Sequence, residues 1–160
     1  QEGALIWLQF PFPDLVPSAL PTGIDRLLAG AVLSCDRVGP ASGYLLVELE
    51  SPDELAAMTP PGEALKALTD RALLVYVRCA QSDATPTPYC FRYFAPQYGS
   101  AEDTATGSAM RIITASARTR YTDQTIMAAQ LSPGGGLLYG AVEGDTVWVG
   151  GQAQREQQIG

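Results

Sequence analysis

Short apolar runs, separated by Pro, Gly and polar residues, dominate the chain, and most of them are rich in β-branched or aromatic residues. Runs of this length and composition are typical of strands joined by tight turns. They predict strands near residues 4–10, 31–37, 43–49, 72–77, 89–94, 125–131, 137–142 and 146–149, with short helices after Thr22, after Ser51 and over 63–68. The run at 72–77 is the most continuously apolar, so we expect a central strand there.

One longer helix is expected because residues 105–120 contain no Pro and a single Gly, which falls at the first turn. We expect this helix to begin between Asp103 and Thr106. Small side chains occupy most of its circumference, and that composition favours a helix enclosed by other elements. Seven or eight strands with one enclosed helix predict an α+β fold.

Composition and charge restrict the partners. The chain has 160 residues, 46% of them hydrophobic and 17% charged, with no repeat or linker, so we expect a single domain over residues 1–160. The formal net charge is −7, from 17 acidic and 10 basic residues, and no basic cluster interrupts it. Nucleic acid and anionic membranes are therefore not expected as partners. Because the chain lacks a long apolar run and a signal-like N-terminus, the expected location is cytoplasmic.

Few residue types are available for catalysis. The chain has no histidine, which excludes Ser-His and Cys-His nucleophile pairs. The cysteines, Cys35, Cys79 and Cys90, show no C-x-x-C spacing, so the sequence indicates neither a disulfide framework nor a zinc site. We expect reduced structural thiols at all three positions. Carboxylates, tyrosines, cysteines and Lys66 remain for acid–base chemistry.

Residues 99–109 contain most of the candidate chemistry. A strand, a glycine turn and a helix that opens with Thr106, Gly107 and Ser108 would direct backbone N–H groups at an anion. Gly107 allows a ligand to approach closely and Ser108 adds a hydroxyl, so the sequence predicts a carboxylate or phosphate site. The alternative is a plain capped helix, in which Asp103 only satisfies N–H groups of the first turn.

An ordered pattern extends through this region: Arg92-Tyr93-Phe94-Ala95-Pro96, then Gly99, then Glu102-Asp103-Thr104-Ala105-Thr106-Gly107-Ser108-Ala109. It resembles the R-x-F-x-P…G-x-x-E-D-P-x-T-G-S-A signature of the PhzF (phenazine biosynthesis) family of isomerases and epimerases. The resemblance covers nearly the whole chain, but only the C-terminal lobe of a two-lobed protein. It implies one lobe of the diaminopimelate-epimerase fold, with a mixed, mostly antiparallel, barrel-like sheet wrapped around a central helix.

The resemblance also implies a reaction, namely proton transfer next to a carboxylate in a small-molecule substrate, with no cofactor and no metal. Gly107 and Ser108, with Thr106, would bind the substrate carboxylate, and Asp103 would be the catalytic group on this lobe. The catalytic glutamate of the family lies on the N-terminal lobe, in a motif that this chain lacks. The isomerase interpretation therefore requires an N-terminal lobe as partner.

Three positions depart from the family pattern: Thr104 replaces a Pro, Met110 replaces a frequent His, and Gly134 stands where Arg-Gly-Gly is usual after Gln130. These departures favour an alternative hypothesis, a non-catalytic lobe that binds a small carboxylate or pairs with a second copy of itself as a homodimer. Ala105 occupies the position at which diaminopimelate epimerase has a cysteine, which excludes a thiol-pair mechanism.

The other signature residues are expected to be structural. We expect Arg92 to pair with a nearby carboxylate and Tyr93 and Phe94 to belong to the core. Glu102 is expected to be a surface acid that the positive end of the helix dipole favours.

Overall fold

The structure, a computed structural model, describes residues 4–79 and 85–152. Its strands are β1 (Leu5–Pro11), β2 (Leu15–Pro17), β3 (Val32–Val38), β4 (Tyr44–Leu49), β5 (Ala72–Arg78), β6 (Thr87–Phe94), β7 (Thr125–Gln130), β8 (Gly136–Glu143) and β9 (Thr146–Gln152). Its α-helices are α1 (Pro52–Ala57), α2 (Gly62–Leu68) and α3 (Gly107–Tyr121), and 3₁₀ turns span Ile24–Leu27 and Pro96–Tyr98.

The strands form one sheet in the order β1-β9-β8-β7-β6-β5-β4-β3-β2. The pairs β4–β5 and β6–β7 are parallel, and the other neighbouring pairs are antiparallel. The sheet is therefore mixed and mostly antiparallel, as expected. The expected barrel is not closed, because β1 and β2 are the two ends of the sheet and no ladder joins them within the described residues.

Helix α3 packs against one face of this sheet and is enclosed by it. Its buried side chains form a core with apolar residues from β3 to β7 and from β9, among them Leu74, Phe91, Ile126 and Val149. Because strands from both halves of the sheet contribute to this core, the sheet wraps around the helix, as the resemblance implies. Short side chains dominate the buried surface of α3, so the helix can lie close to the strands.

Gly140 permits the close approach of α3 to β8. A Cβ atom at this position would lie 2.0 Å from Thr114 Oγ1 and 2.8 Å from Thr114 Cγ2. Thr114 is fully buried, and its hydroxyl donates to the carbonyl of Met110, 2.7 Å away on the preceding turn. The axis of α3 is thus held at a distance from β8 that only glycine at position 140 allows.

Helices α1 and α2 cover the opposite face of the central strands. Leu55 of α1 and Leu65 of α2 are fully buried there, in a second core. Successive side chains of a strand point to opposite faces, so β5 contributes Leu73 to this outer core and Leu74 to the core around α3. This two-sided burial explains why the run at 72–77 is continuously apolar, and it confirms the interior position predicted for that strand.

Two predictions of local structure need revision. The described residues form nine strands, whereas seven or eight were expected. The strand that was not predicted is Leu15–Pro17, which pairs with β3 but is too short, at three residues, to give a periodic signal. Helix α3 begins at Gly107, one residue after the predicted range, with Thr106 as its N-cap.

Candidate functional site

The predicted site lies between the end of β6 and the start of α3. After Phe94 the chain forms a 3₁₀ turn, and Ala95 and Ser100 then pair as an isolated antiparallel bridge. The returning segment is tied to β6, since the Asp103 N–H donates to the Tyr93 carbonyl at 3.1 Å. The strand, turn and helix predicted from residues 99–109 are therefore present, and they bring Asp103 to the N-terminus of α3.

Asp103 is half-buried and held by the loop that carries it. Its Oδ1 accepts a hydrogen bond from the Thr104 N–H at 2.8 Å, and its Oδ2 accepts one from the Thr106 hydroxyl at 2.6 Å. Thr106 is the N-cap residue of α3, yet its side chain makes no capping hydrogen bond. The alternative in which Asp103 caps the helix is wrong, because the N-cap position belongs to Thr106, three residues later.

The first turn of α3 presents its backbone donors without an acidic or capping side chain of its own. The first α-helical hydrogen bond joins the Met110 N–H to the Thr106 carbonyl at 3.1 Å. The N–H groups of Gly107, Ser108 and Ala109 precede it, at positions where a helix offers no internal acceptor. No acidic residue lies in this first turn, so the positive end of the helix dipole is not neutralised from within the helix.

Gly107 and Ser108 form the accessible part of this helix end. A Cβ atom at Gly107 would meet no heavy atom within 4 Å, so open space lies in front of it. Ser108 is exposed, and its Oγ accepts a hydrogen bond from the Tyr44 hydroxyl at 3.0 Å. Thr106, by contrast, is 7% exposed and its hydroxyl is already bound to Asp103. Of the three predicted binding residues, Gly107 and Ser108 are thus open to a ligand.

Tyr44 and Tyr93 are neighbours of the site that the sequence did not single out for it. Their ring centroids are 5.8 Å apart, and Tyr44 reaches Ser108 across a separation of 64 residues. Burial, with the nearby Tyr44 and the Asp103 carboxylate, raises the pKa of Tyr93 above its ordinary value, so its phenol stays neutral. The one feature of the sequence that could have indicated a role for Tyr44 at the site is its position at the start of a predicted strand.

Gln130 joins the loop of Asp103 to the end of β7. Its Oε1 accepts the Thr106 N–H at 2.8 Å, and its Nε2 donates to the Asp103 carbonyl at 2.7 Å. Ser132 adds a bond from its hydroxyl to the Thr104 carbonyl at 2.8 Å. Gln130 is 2% exposed, so these bonds are protected from water and fix the loop in front of the helix.

Arg92 and Glu102 hold the outer side of the same loop. The guanidinium donates to both carboxylate oxygens, with Nε–Oε1 at 2.7 Å and Nη2–Oε2 at 2.8 Å. It also donates to three carbonyls at the end of α1, those of Leu55, Ala56 and Met58. The expectation for Arg92 is confirmed. The expectation for Glu102 is wrong, because its side chain is 6% exposed and serves as the buried partner of Arg92.

A cavity of about 320 Å³, a suitable size for a small ligand, lies beside Ala105, two residues before α3. Ala105 and the turn at Gly135 and Gly136 form one side, and Leu138 and Tyr139 are among the residues that form the rest. Residue 105 is the position at which diaminopimelate epimerase has a cysteine, and here an alanine side chain lines the cavity instead. Within residues 4–79 and 85–152, no three Cys, Asp or Glu side chains are grouped so that they could hold a metal ion.

A larger cavity, of about 480 Å³, lies at the C-terminal end of α3, and its lining combines apolar residues such as Leu15 and Leu33 with charged ones. Arg120 pairs there with Asp36, and Glu48 accepts hydrogen bonds from the hydroxyls of Tyr76 and Tyr121. Glu48 is 2% exposed, and a third hydroxyl, that of Ser34, also donates to it. These groups satisfy one another, which is the arrangement expected of a structural polar cluster.

In the described part of the chain, no helix combines the length and the apolar character needed to cross a membrane.

Comparison with known proteins matches the chain to the PhzC-PhzF family, described as phenazine biosynthesis-like protein, over residues 5–155. The chain is 32% identical over 146 residues to the uncharacterized isomerase PA3578 of Pseudomonas aeruginosa, covering 91% of this chain and 54% of that protein. It is 28% identical over 149 residues to the uncharacterized isomerase BH0283 of Halalkalibacterium halodurans, covering 92% of this chain and 54% of that protein.

Solved structures agree with this match. A phenazine biosynthesis protein of the PhzF family from Enterococcus faecalis superposes with a TM-score of 0.80 at 25% identity, covering 96% of this chain and 56% of that chain. A PhzC/PhzF protein from Clostridium difficile superposes with a TM-score of 0.74 at 23% identity, covering 97% and 58%. The expected α+β fold is confirmed. The chain spans about half the length of the relatives it matches.

Proposed function

The chain belongs to the PhzC-PhzF family, and from that premise we propose that it is the C-terminal lobe of an isomerase or epimerase. The proposed reaction moves a proton next to a carboxylate in a small-molecule substrate, without cofactor or metal. Two relatives that are named isomerases support the reaction class. The observation that carries the proposal is the first turn of α3, where open space lies in front of Gly107 and the Thr106 hydroxyl is turned towards Asp103.

In the proposed complex, the substrate carboxylate lies at the N-terminus of α3. The N–H groups of Gly107 and Ser108 donate to it, and the helix dipole favours its charge. Donors that are fixed before the substrate arrives also stabilise the negative charge that develops on the carbon when its proton leaves. Asp103 adjoins this position, and its two hydrogen bonds hold its carboxylate in one orientation.

The proposed reaction uses a second carboxylic acid, the catalytic glutamate of an N-terminal lobe, which shares proton removal and return with Asp103. Strand β1 supports a partner on this lobe. Leu5, Ile6, Trp7 and Leu8 are between 40% and 56% exposed on a strand that ends the sheet. An exposed apolar strand with a free edge is normally covered in the assembled protein.

A hydrogen-exchange assay of the natural gene product that contains this chain tests the proposal. Small carboxylic acids with an acidic C–H next to the carboxylate are incubated in D₂O, and mass spectrometry measures the deuterium gained. We expect Asp103→Asn to lower the exchange rate by about 10²-fold. The control is Asp145→Asn, which removes the same charge from an exposed turn. Equal rates in the two variants would remove Asp103 from the reaction.

Gly107→Ala tests the binding position separately from folding. A methyl group at residue 107 meets no heavy atom within 4 Å, so the free energy of unfolding should stay within about 1 kcal/mol of wild type. The same methyl group stands where the carboxylate would approach, so we expect KM to rise about tenfold, a binding loss of about 1.4 kcal/mol. An unchanged KM with normal stability would place the substrate elsewhere.

The second candidate is a non-catalytic lobe that binds a small carboxylate or pairs with a second copy. Its specific support is that both oxygens of Asp103 already accept hydrogen bonds from the loop, which suits orienting a ligand more than removing a proton. Calorimetry with acetate and succinate distinguishes the candidates. Heat that is lost in Gly107→Ala, without deuterium exchange in wild type, favours the binding lobe.

The intact mass of the natural gene product, read from the source cell, tests the requirement for a second lobe. A mass well above 17.0 kDa favours the isomerase, because it provides sequence for the missing acid. A mass near 17.0 kDa favours the binding lobe and makes its oligomeric state the next measurement.

A further inference from the structure

Two of the three cysteines lie side by side on neighbouring strands, away from the candidate site at the N-terminus of α3. Cys79 directly follows β5, and its N–H donates to the Pro88 carbonyl of β6 at 3.0 Å. Cys90 lies in β6, opposite Val77. The two sulfur atoms are 3.0 Å apart. This contact is compatible with the register, because residues 77 and 79 point to the same face of the sheet, and residue 90 lies opposite residue 77 and diagonal to residue 79.

We propose that Cys79 and Cys90 are a reversible disulfide site, in which a low-molecular-weight disulfide such as glutathione disulfide is the oxidant. The sulfur atoms need to approach by only about 1 Å to reach the S–S bond length of about 2.05 Å. Backbone hydrogen bonds already fix the two strands at this separation, so side-chain rotation closes the remaining gap. Cys35, on β3, is separated from this pair by the intervening strand β4.

The two sulfurs differ in access and acidity, which assigns their roles. Cys79 is half-buried, whereas Cys90 is 3% exposed. The hydrogen bond between the sulfurs lowers the pKa of Cys79, although burial opposes this effect. The same contact, with burial, raises the pKa of Cys90. Cys79 is therefore the attacking thiolate, because thiolates are the reactive species in disulfide exchange.

The exchange balances in two steps. The Cys79 thiolate attacks one sulfur of glutathione disulfide, a mixed disulfide forms, and one glutathione thiolate leaves. Cys90 then loses its proton to solvent and attacks the Cys79 sulfur, which expels the second glutathione thiolate. The protein has lost two electrons and two protons, and glutathione disulfide has been reduced to two thiols. Excess reduced glutathione reverses both steps.

The disulfide would add a covalent link to strand ends that are already tied by polar contacts. Asp123, two residues after α3, accepts hydrogen bonds from Arg78 at 3.1 Å and from Tyr89 at 2.7 Å, and these residues adjoin the two cysteines. A link over this sequence separation restricts the unfolded chain, so we expect the thermal midpoint to rise by about 5–10 °C.

The experiment uses the reduced wild-type protein, treated with excess glutathione disulfide and then alkylated. Peptide mass spectrometry should show a Cys79–Cys90 cross-linked peptide, lighter than the two separate peptides by two hydrogen atoms, with Cys35 alkylated on denaturation. Burial beside Asp36 raises the pKa of the Cys35 thiol to about 11, so it should not react in the folded protein. Persistent glutathione on Cys79, or a cross-link to Cys35, would overturn the proposal.

Variants add a second, independent measurement. Cys35→Ser should keep both the cross-link and the rise in thermal midpoint, whereas Cys79→Ser and Cys90→Ser should lose both. Dithiothreitol should return the wild-type midpoint to its reduced value. If Cys90→Ser does not fold, the wild-type peptide map still decides the pairing. A cross-link that leaves the midpoint unchanged would contradict the geometry, because a bond that distorts the two strands gains no stability.

Discussion

The Thr106 N–H donates a hydrogen bond of 2.8 Å to the side-chain oxygen of Gln130. This N–H lies in a loop, so it has no partner strand, and Gln130 provides its acceptor. The other end of the same amide donates to the Asp103 carbonyl. One buried side chain therefore satisfies a donor and an acceptor on the loop that presents Asp103. This loop has no regular secondary structure over residues 101–106, so its position depends on such contacts.

We expect Gln130→Ala to lower the free energy of unfolding by about 2–4 kcal/mol, because it leaves a buried N–H and a partly buried carbonyl without this partner. Gln130→Glu should cost at least as much, since it keeps an acceptor for Thr106 but places a buried, unpaired carboxylate against the Asp103 carbonyl. Urea denaturation measures both. Gln9→Ala, on exposed β1, is the control and should change stability by less than about 0.5 kcal/mol. A Gln130→Ala cost no larger than that of the control would contradict this role.

Arg92 and Glu102 should show the strong penalty of a broken buried ion pair. Their side chains are 7% and 6% exposed, so Arg92→Met or Glu102→Leu alone leaves an unpaired buried charge and should cost about 3–5 kcal/mol. The double variant should cost less than the sum of the two. The control is Lys66→Ala in the exposed pair with Glu63, where we expect about 0.5 kcal/mol or less.

Gly140 and Thr114 provide a test of the close packing between α3 and β8. Gly140→Ala places a methyl group 2.0 Å from Thr114 Oγ1, so we expect a loss of about 2–3 kcal/mol from strain. Adding Thr114→Ala removes the two nearest atoms and should recover part of that loss. A double-mutant cycle in urea measures the coupling. If the effects of Gly140→Ala and Thr114→Ala on stability simply add, the new methyl group and Thr114 do not clash, and the helix has moved away from β8.

The sequence was informative where one element carries its own signal. Apolar runs with turn residues located most strands, because burial on one or both faces leaves a local pattern. The absence of Pro and the small residues over 105–120 located the enclosed helix. The mixed, mostly antiparallel character of the sheet came from the resemblance, and the order of its strands was not predicted, since periodicity does not determine which strands pair. Strand β2 escaped detection because three residues carry no period.

The site could be located from sequence, but its internal contacts could not. Tyr44 reaches Ser108 across 64 positions, and Gln130 reaches Thr106 across 24. Glu102 was expected on the surface, as an acid favoured by the positive end of the helix dipole. Its burial arises from Arg92, which is itself held by carbonyls of α1. Thr106 illustrates the same limit, since a Thr before a helix predicts a cap and only the structure shows its hydroxyl on Asp103.

Asp123 should make the stability of the protein depend on pH in the acid range. Burial alone would raise the pKa of its carboxyl, but the hydrogen bonds from Arg78 and Tyr89 outweigh burial and hold the pKa below its ordinary value. A folded-state pKa below the unfolded one, about 3.9, gives a stabilisation that is complete at pH 7. It is lost as the pH falls through the folded-state pKa, where the carboxyl is protonated in both states.

We therefore expect Asp123→Asn to be less stable than wild type by about 1–3 kcal/mol at pH 7, because it loses charge-assisted hydrogen bonds. The gap between the two proteins should narrow as the pH falls from about 5 to about 2.5, since wild type loses the same contribution by protonation. Urea denaturation at several pH values measures the gap, with Asp145→Asn as the control for net charge. A gap that stays constant or widens towards acid would show that the Asp123 carboxylate adds nothing to stability through its charge.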